Sequence, residues 1–287
     1  MDTLPYGFID RVFTQLDASA HDTIRVRSSR WMNAAWRYKQ NLQFITVQFS
    51  IDSATQALSY ILSSYGFAQD RNDFTFEDLQ SMDDRFIRID EFSVEKDFIQ
   101  SSRTFHEVED LPMMIRYLAR FTIAKISIVD PHAVLLEECM ANGLKSTNLQ
   151  LAYSLETETL LRNHIASGEL ERFAFEKRNY WPLTIKYDLE EFVCQPRFKF
   201  LEGTLKHFDM DCFKRVVAYW RTMETPWKSA ELYVHNSFNT DLEHDFAPWL
   251  ISMGFGRFKE QQGEYCLLVR CERVDYVAQF GLIAELL

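Results

Sequence analysis

The chain of 287 residues has only 9 glycines and 7 prolines. It contains no Gly-x-Gly-x-x-Gly, Walker loop or Gly-x-Ser-x-Gly elbow, which argues against glycine-rich phosphate cradles and serine-hydrolase chemistry. Its five cysteines (Cys139, Cys194, Cys212, Cys266 and Cys271) are odd in number, widely spaced and form no C-x-x-C pair, as expected of thiols buried in a reducing compartment. The opening Met1-Asp2-Thr3-Leu4-Pro5 lacks the basic and apolar regions of a secretory leader, and no Asn-x-Ser/Thr acceptor occurs. The longest apolar candidate, Leu111 to Val129, is interrupted by Arg116, Arg120 and Lys125, so no membrane-spanning helix is expected. Basic residues are the scarcer charge: 31 against 42 acidic, a net charge of −11 that repels nucleic acid and anionic membranes. These scarcities lead us to expect a cytoplasmic or nuclear protein with neither nucleic acid nor membrane as partner.

What is abundant is aromatic: 24 Phe, 12 Tyr and 6 Trp, enough for a large core. The first forty residues read as three short helices. Phe8, Ile9, Val12, Phe13 and Leu16 form one apolar stripe after Pro5, Asp22 opens a second helix, and Trp31, Ala35 and Trp36 suit a third. From Asn41 the texture turns to β, with a buried strand over Leu42 to Phe49. The spacing of Leu58, Ile61 and Leu62 predicts a helix from Ser53 to Tyr65, closed at Gly66. Residues 67–84 are acidic and read as a loop or edge, and the role of residues 67–110 stays open.

From Leu111 a repeat appears. Ile126-x-Ile128, Leu149-x-Leu151, Phe173-x-Phe175, Phe198-x-Phe200 and Leu232-x-Val234 recur at steps of 23, 24, 25 and 34 residues, with helix-period segments between them. Strand plus helix at that interval predicts a β/α solenoid of the leucine-rich-repeat type, irregular because the expected Asn positions hold Pro131, Ser154, Arg178 and Ser237. The stretches Phe255–Lys259 and Glu264–Val274 alternate like a hairpin around Gln261-Gln262-Gly263, which would cap the last strand. The fold class expected is therefore α/β: a small helical segment over residues 1–40, then a β/α domain over residues 41–287 with a capping hairpin.

The opening Leu4-Pro5-x-x-Phe8-Ile9-x-x-Val12-Phe13-x-x-Leu16-Asp17, followed by Ile24-x-Val26-x-Ser28-Ser29-Arg30-Trp31, resembles an F-box. More closely it is similar to the nematode-expanded F-box-like families with an associated leucine-rich-repeat-like region, as Phe213 to Trp220 followed by Leu232-Tyr233-Val234 also is. The resemblance implies a substrate-receptor subunit of a cullin-RING ubiquitin ligase. Leu4, Pro5, Ile9, Val12, Leu16 and Trp31 would then face or support a Skp-family adaptor, and the solenoid would hold the substrate protein. Arg27 departs from the pattern, standing where the family keeps an apolar residue four before the Trp. The alternative is therefore a stand-alone interaction scaffold with a degenerate F-box.

Catalytic or metal chemistry has no motif behind it. The seven histidines are scattered without a His-Glu-x-x-His pattern, and no cofactor, metal or enzymatic activity is expected. Strand residues between the buried pairs point to the opposite face. There they give Lys125, Ser127, Gln150, Arg172, Ala174, Glu176, Arg197, Lys199, Glu231, Tyr233 and His235, a set with more basic than acidic members. Of these, Lys125, Gln150, Arg172, Arg197, Lys199, Tyr233 and His235 are the candidates for contacting a substrate protein. Arg172, Arg197 and Lys199 would suit an acidic or phosphorylated one.

Overall fold

The computed structural model describes residues 8, 12, 29–66, 69–97, 105–176, 181–204, 211–212, 215–216, 218–219, 229–236, 265–274 and 277–283. The chain forms two compact units, Met1–Ala124 with Ala141–Leu144, and Lys125–Met140 with Lys145–Leu287.

In the first unit, Phe8 and Val12 are helical, and helix α1 spans Ser29–Asn41. Its buried face is Ala34 and Tyr38, one turn apart, with Trp31, Ala35 and Phe86 packed against them. The Tyr38 ring lies 5.0 Å from that of Phe86, whereas Trp36 is 67% exposed.

Strand β1 (Gln43–Ile51) forms as its β-branched and aromatic content predicts, and Ile45, Val47, Phe49 and Ile51 are fully buried. The helix expected over Ser53–Tyr65 is not there: a turn leads instead into strand β2 (Leu58–Gly66), antiparallel to β1 with Val47 opposite Leu62 and Phe49 opposite Tyr60. The Asp52 carboxylate sets the turn, accepting from the backbone N–H groups of Ala54 (2.9 Å) and Thr55 (2.7 Å) and from the Thr55 hydroxyl (2.9 Å). Tyr60 to Ser64 are buried in succession, which one helix face cannot provide.

Strand β3 (Gln69–Phe74) pairs with β2 at the sheet edge, and the acidic segment continues into helix α2 (Phe76–Ser81). Thr75 and Asp78 form a capping box there, with the Asp78 N–H donating to Thr75 Oγ1 at 3.2 Å. Strand β4 (Ile87–Lys96) lies parallel to β1 on its other side. The short β5 (His106–Glu107) shares the outer edge of β2, giving the order β4-β1-β2-β3. Helix α3 (Leu111–Leu118) follows, then the short strand β6 (Thr122–Ile123), after which the Ala124 N–H donates to Ile89 O at 2.9 Å. The Tyr117 ring meets Phe76 edge-on, and its hydroxyl lies within hydrogen-bonding distance of Leu79 O (3.2 Å) and Asp84 Oδ1 (3.0 Å). Burial and the Asp84 carboxylate push the Tyr117 hydroxyl up to about 12.

The second unit alternates strand and helix. Strand β7 (Lys125–Ile128) is followed by helix α4 (Ala133–Ala141), the short β8 (Lys145–Ser146) and β9 (Asn148–Leu151). Next come helix α5 (Leu155–Ser167) and β10 (Arg172–Phe175), then a 3-10 turn (Leu183–Ile185) running into helix α6 (Lys186–Val193). Strand β11 (Phe200–Thr204), helical residues 211–212, 215–216 and 218–219, and β12 (Ser229–Asn236) complete the series. Strands β7, β9, β10, β11 and β12 are parallel and adjacent in sequence order. Such an order with uniform right-handed crossovers puts every helix on one side of the sheet. Helix α5 illustrates the local causes: Ser154 caps it in a capping box with Thr157, and Gly168 ends it at φ 68°, a left-handed conformation a side chain would strain.

Two apolar rows cross these strands in register, Ile126-Leu149-Phe173-Leu201 and Ile128-Leu151-Phe175, and all seven residues are buried. Burying a side chain of this size contributes about 1.5–3 kcal/mol. The core also takes Leu135, Leu136, Leu160, Leu161, Ile165, Leu189, Phe192, Cys212 and Val216 from the helices. Trp181 belongs to it as well: its ring packs on Tyr153, Phe173 and Phe175, and its Nε1–H donates to Leu151 O at 3.3 Å.

One strand expectation needs correction. The fourth strand starts at Phe200, and its buried residue is Leu201, not the pair Phe198 and Phe200. Phe198 is fully buried ahead of the strand, its ring 5.2 Å from Phe192. At the C-terminus, β13 (Tyr265–Val274) pairs antiparallel with both β12 and β14 (Val277–Ile283), so the hairpin turns after Val274. The stretch Phe255–Lys259 and the expected turn Gln261-Gln262-Gly263 lie outside the described residues.

Candidate interaction face

The buried rows leave the intervening strand residues for the other side of the second unit's sheet. One row runs Asn148-Arg172-Phe200 and continues in register to Glu231; the next runs Ser127-Gln150-Ala174-Glu202 and continues to Tyr233. Arg172 is exposed and Asn148, Gln150, Ala174, Phe200 and Glu202 are half-buried, against complete burial for their apolar neighbours. Ser127, at the β7 end of its row, is buried, so solvent access on this side centres on Arg172; a parallel sheet with one side only partly covered departs from the doubly covered sheets of most α/β proteins.

Lys125 opens β7 and is half-buried. Gln150 donates from Nε2 to the Glu176 carboxylate at 3.0 Å. The Arg172 guanidinium stacks over the Phe200 ring, its central carbon 5.0 Å from the ring centre. Tyr233 and His235 lie in β12 in register with Glu202 and Thr204. Arg197 and Lys199, expected in the strand, precede it; both are exposed, and the Lys199 ammonium pairs with Glu171. Their removal and the entry of Glu202 cancel the basic excess counted from the sequence. Phe200, which sequence reasoning assigned to the buried side, instead supplies the platform for Arg172.

Of the residues that the F-box resemblance singles out, Val12 is helical and half-buried and Trp31 is half-buried in α1. Leu4, Pro5, Ile9 and Leu16, like Arg27, lie outside the described residues.

Burial pushes the Cys139 thiol up, and pushes that of Cys194 up to about 11, so both are protonated at neutral pH. Hydrogen bonds from Arg215 (2.6 and 2.7 Å) hold the Glu190 carboxyl below the usual range. Among the described residues no three His, Cys, Asp or Glu side chains converge as metal ligands, and no helix is long and apolar enough to cross a membrane.

The elements define a mixed α/β protein whose second unit carries a largely parallel sheet open on one side. Comparison with family models, curated proteins and solved structures finds no match.

Proposed function

We propose that this protein is an intracellular protein-interaction module, acting as an F-box-like substrate receptor of a cullin-RING ubiquitin ligase. In this reading the second unit is an irregular leucine-rich-repeat-like solenoid whose open sheet face receives the substrate protein, and the N-terminal helices dock on a Skp-family adaptor. The observation that carries the binding role is the one-sided burial of the sheet: Ile126, Leu149, Phe173 and Leu201 are inside, whereas Arg172 and its row neighbours Asn148 and Phe200 keep solvent access. Curved sheets of stacked β/α units use such a face for partners. The adaptor role rests on the spacing of Leu4, Pro5, Ile9, Val12, Leu16 and Trp31.

Size-exclusion chromatography with a purified Skp-family adaptor tests it, beside a Pro5→Ala/Val12→Asp variant. Co-elution, abolished in the variant without a change in its melting temperature, is the expected result. Separate elution of the unaltered chain overturns the adaptor role. It leaves the second reading, a stand-alone scaffold, which Arg27 favours because an arginine in an apolar adaptor interface needs a partner.

A further inference from the structure

We infer that Arg172, held on the Phe200 ring, is the recognition point for a partner's aspartate or glutamate side chain; this rests on the open face being a protein-binding surface. The register sets Phe200 directly beside Arg172 on the neighbouring parallel strand, and the guanidinium lies 5.0 Å from the ring centre. The ring gives the guanidinium an apolar and π-electron contact that restricts its motion, and a guanidinium so placed can still offer N–H groups to a bidentate acceptor.

Several other arginines and lysines of the described residues are engaged: Arg85 with Asp83, Arg120 with Asp84, Arg162 with Glu158 and Asp188, Lys199 with Glu171, Arg215 with Glu190. Among the described residues Arg172 has no carboxylate partner, and the Glu176 carboxylate beyond the end of β10 accepts from Gln150. An exposed cation on an aromatic ring, with no carboxylate partner among the described residues, stands out in a chain of net charge −11. The acceptor's charge follows from the surroundings. Phosphate recognition gathers several arginines, whereas here Glu202 follows two residues after Phe200, and Arg197 and Lys199 are outside the strand. A single arginine flanked in register by Asn148 and Phe200 suits a single-charge carboxylate.

The test follows the Arg172 Nε–Hε resonance by NMR during titration with three pools of nine-residue peptides, degenerate except for a central Glu, Gln or phosphoserine. The Glu pool is expected to move that resonance at about one tenth of the concentration the Gln pool needs. The preference should vanish in Arg172→Gln and in Arg172→Lys, weaken in Phe200→Leu, and persist in Lys199→Gln. Melting by circular dichroism verifies that each variant is folded. Equal responses to the Glu and Gln pools, with shifts on the open face, overturn the inference and leave the binding face standing. A stronger response to phosphoserine than to Glu overturns the choice of a carboxylate. No shift anywhere on the face with any pool overturns both the inference and the reading beneath it.

Discussion

His164 shows how one side chain carries a consequence for the whole chain. It is 7% exposed on α5, and its Nδ1 lies 2.9 Å from the carbonyl oxygen of Leu160. A carbonyl only accepts, so Nδ1 holds the proton and Nε2 is left as a buried lone pair without a hydrogen-bond partner. Burial holds its pKa below the ordinary value of about 6.5, outweighing the Leu160 hydrogen bond and the Glu169 charge. The folded chain therefore resists protonation where the unfolded chain accepts it. Its contribution is intact above about pH 6.5 and is lost as the pH falls toward the depressed value. Urea unfolding across pH 7.5 to 5 should show the native chain losing stability faster than His164→Leu. The gap should amount to about 1.4 kcal/mol for each unit of depression. Parallel pH profiles for the two proteins would show that His164 protonates freely in the fold.

At the scale of elements, what the sequence makes legible depends on whether two periods coincide. Leu149-x-Leu151 and Phe173-x-Phe175 sit between turn and helix signals, and their strands, with Gln150 and Arg172 outward, follow directly. Leu58, Ile61 and Leu62 satisfy helical spacing equally well as members of a strand buried on both faces, and the Asp52 turn ahead of them is what separates the readings. Phe198-x-Phe200 imitates the repeat because Phe198 is buried for another reason, packing on Phe192 before the strand begins. That shift decided the candidate site, since Arg197 and Lys199 leave the face and Phe200 enters it. The register is open to test by substitution. Leu201, fully buried in the row with Phe173, should cost about 2–5 kcal/mol on truncation to Ala. Half-exposed Phe200→Ala should cost distinctly less, and Phe198→Ala should resemble a core change. Urea midpoints for the three variants suffice; a larger loss at Phe200 than at Leu201 would restore the register read from sequence.

For the second unit as a whole, the parallel series raises the question of what ends it. Each of β7, β9, β10, β11 and β12 satisfies its backbone through its sheet neighbours, so without a partner the last of them would present a row of unpaired N–H and C=O groups. The protein reverses direction there: β13 pairs antiparallel along β12, from Ser229 opposite Glu272 to Asn236 opposite Tyr265, and β14 then covers β13. The alternation of Glu264–Val274 is legible in the sequence as strand, and the turn expected at Gln261-Gln262-Gly263 lies outside the described residues. A chain ending at Asn236 removes both antiparallel strands and bares β12 over its eight residues. Since a long uncovered edge templates further pairing, this truncated chain should keep strand signal in circular dichroism while light scattering reports association that grows with concentration. The full chain should stay at a fixed mass under the same conditions. If the truncated chain were equally monodisperse, the antiparallel pair would have no capping role.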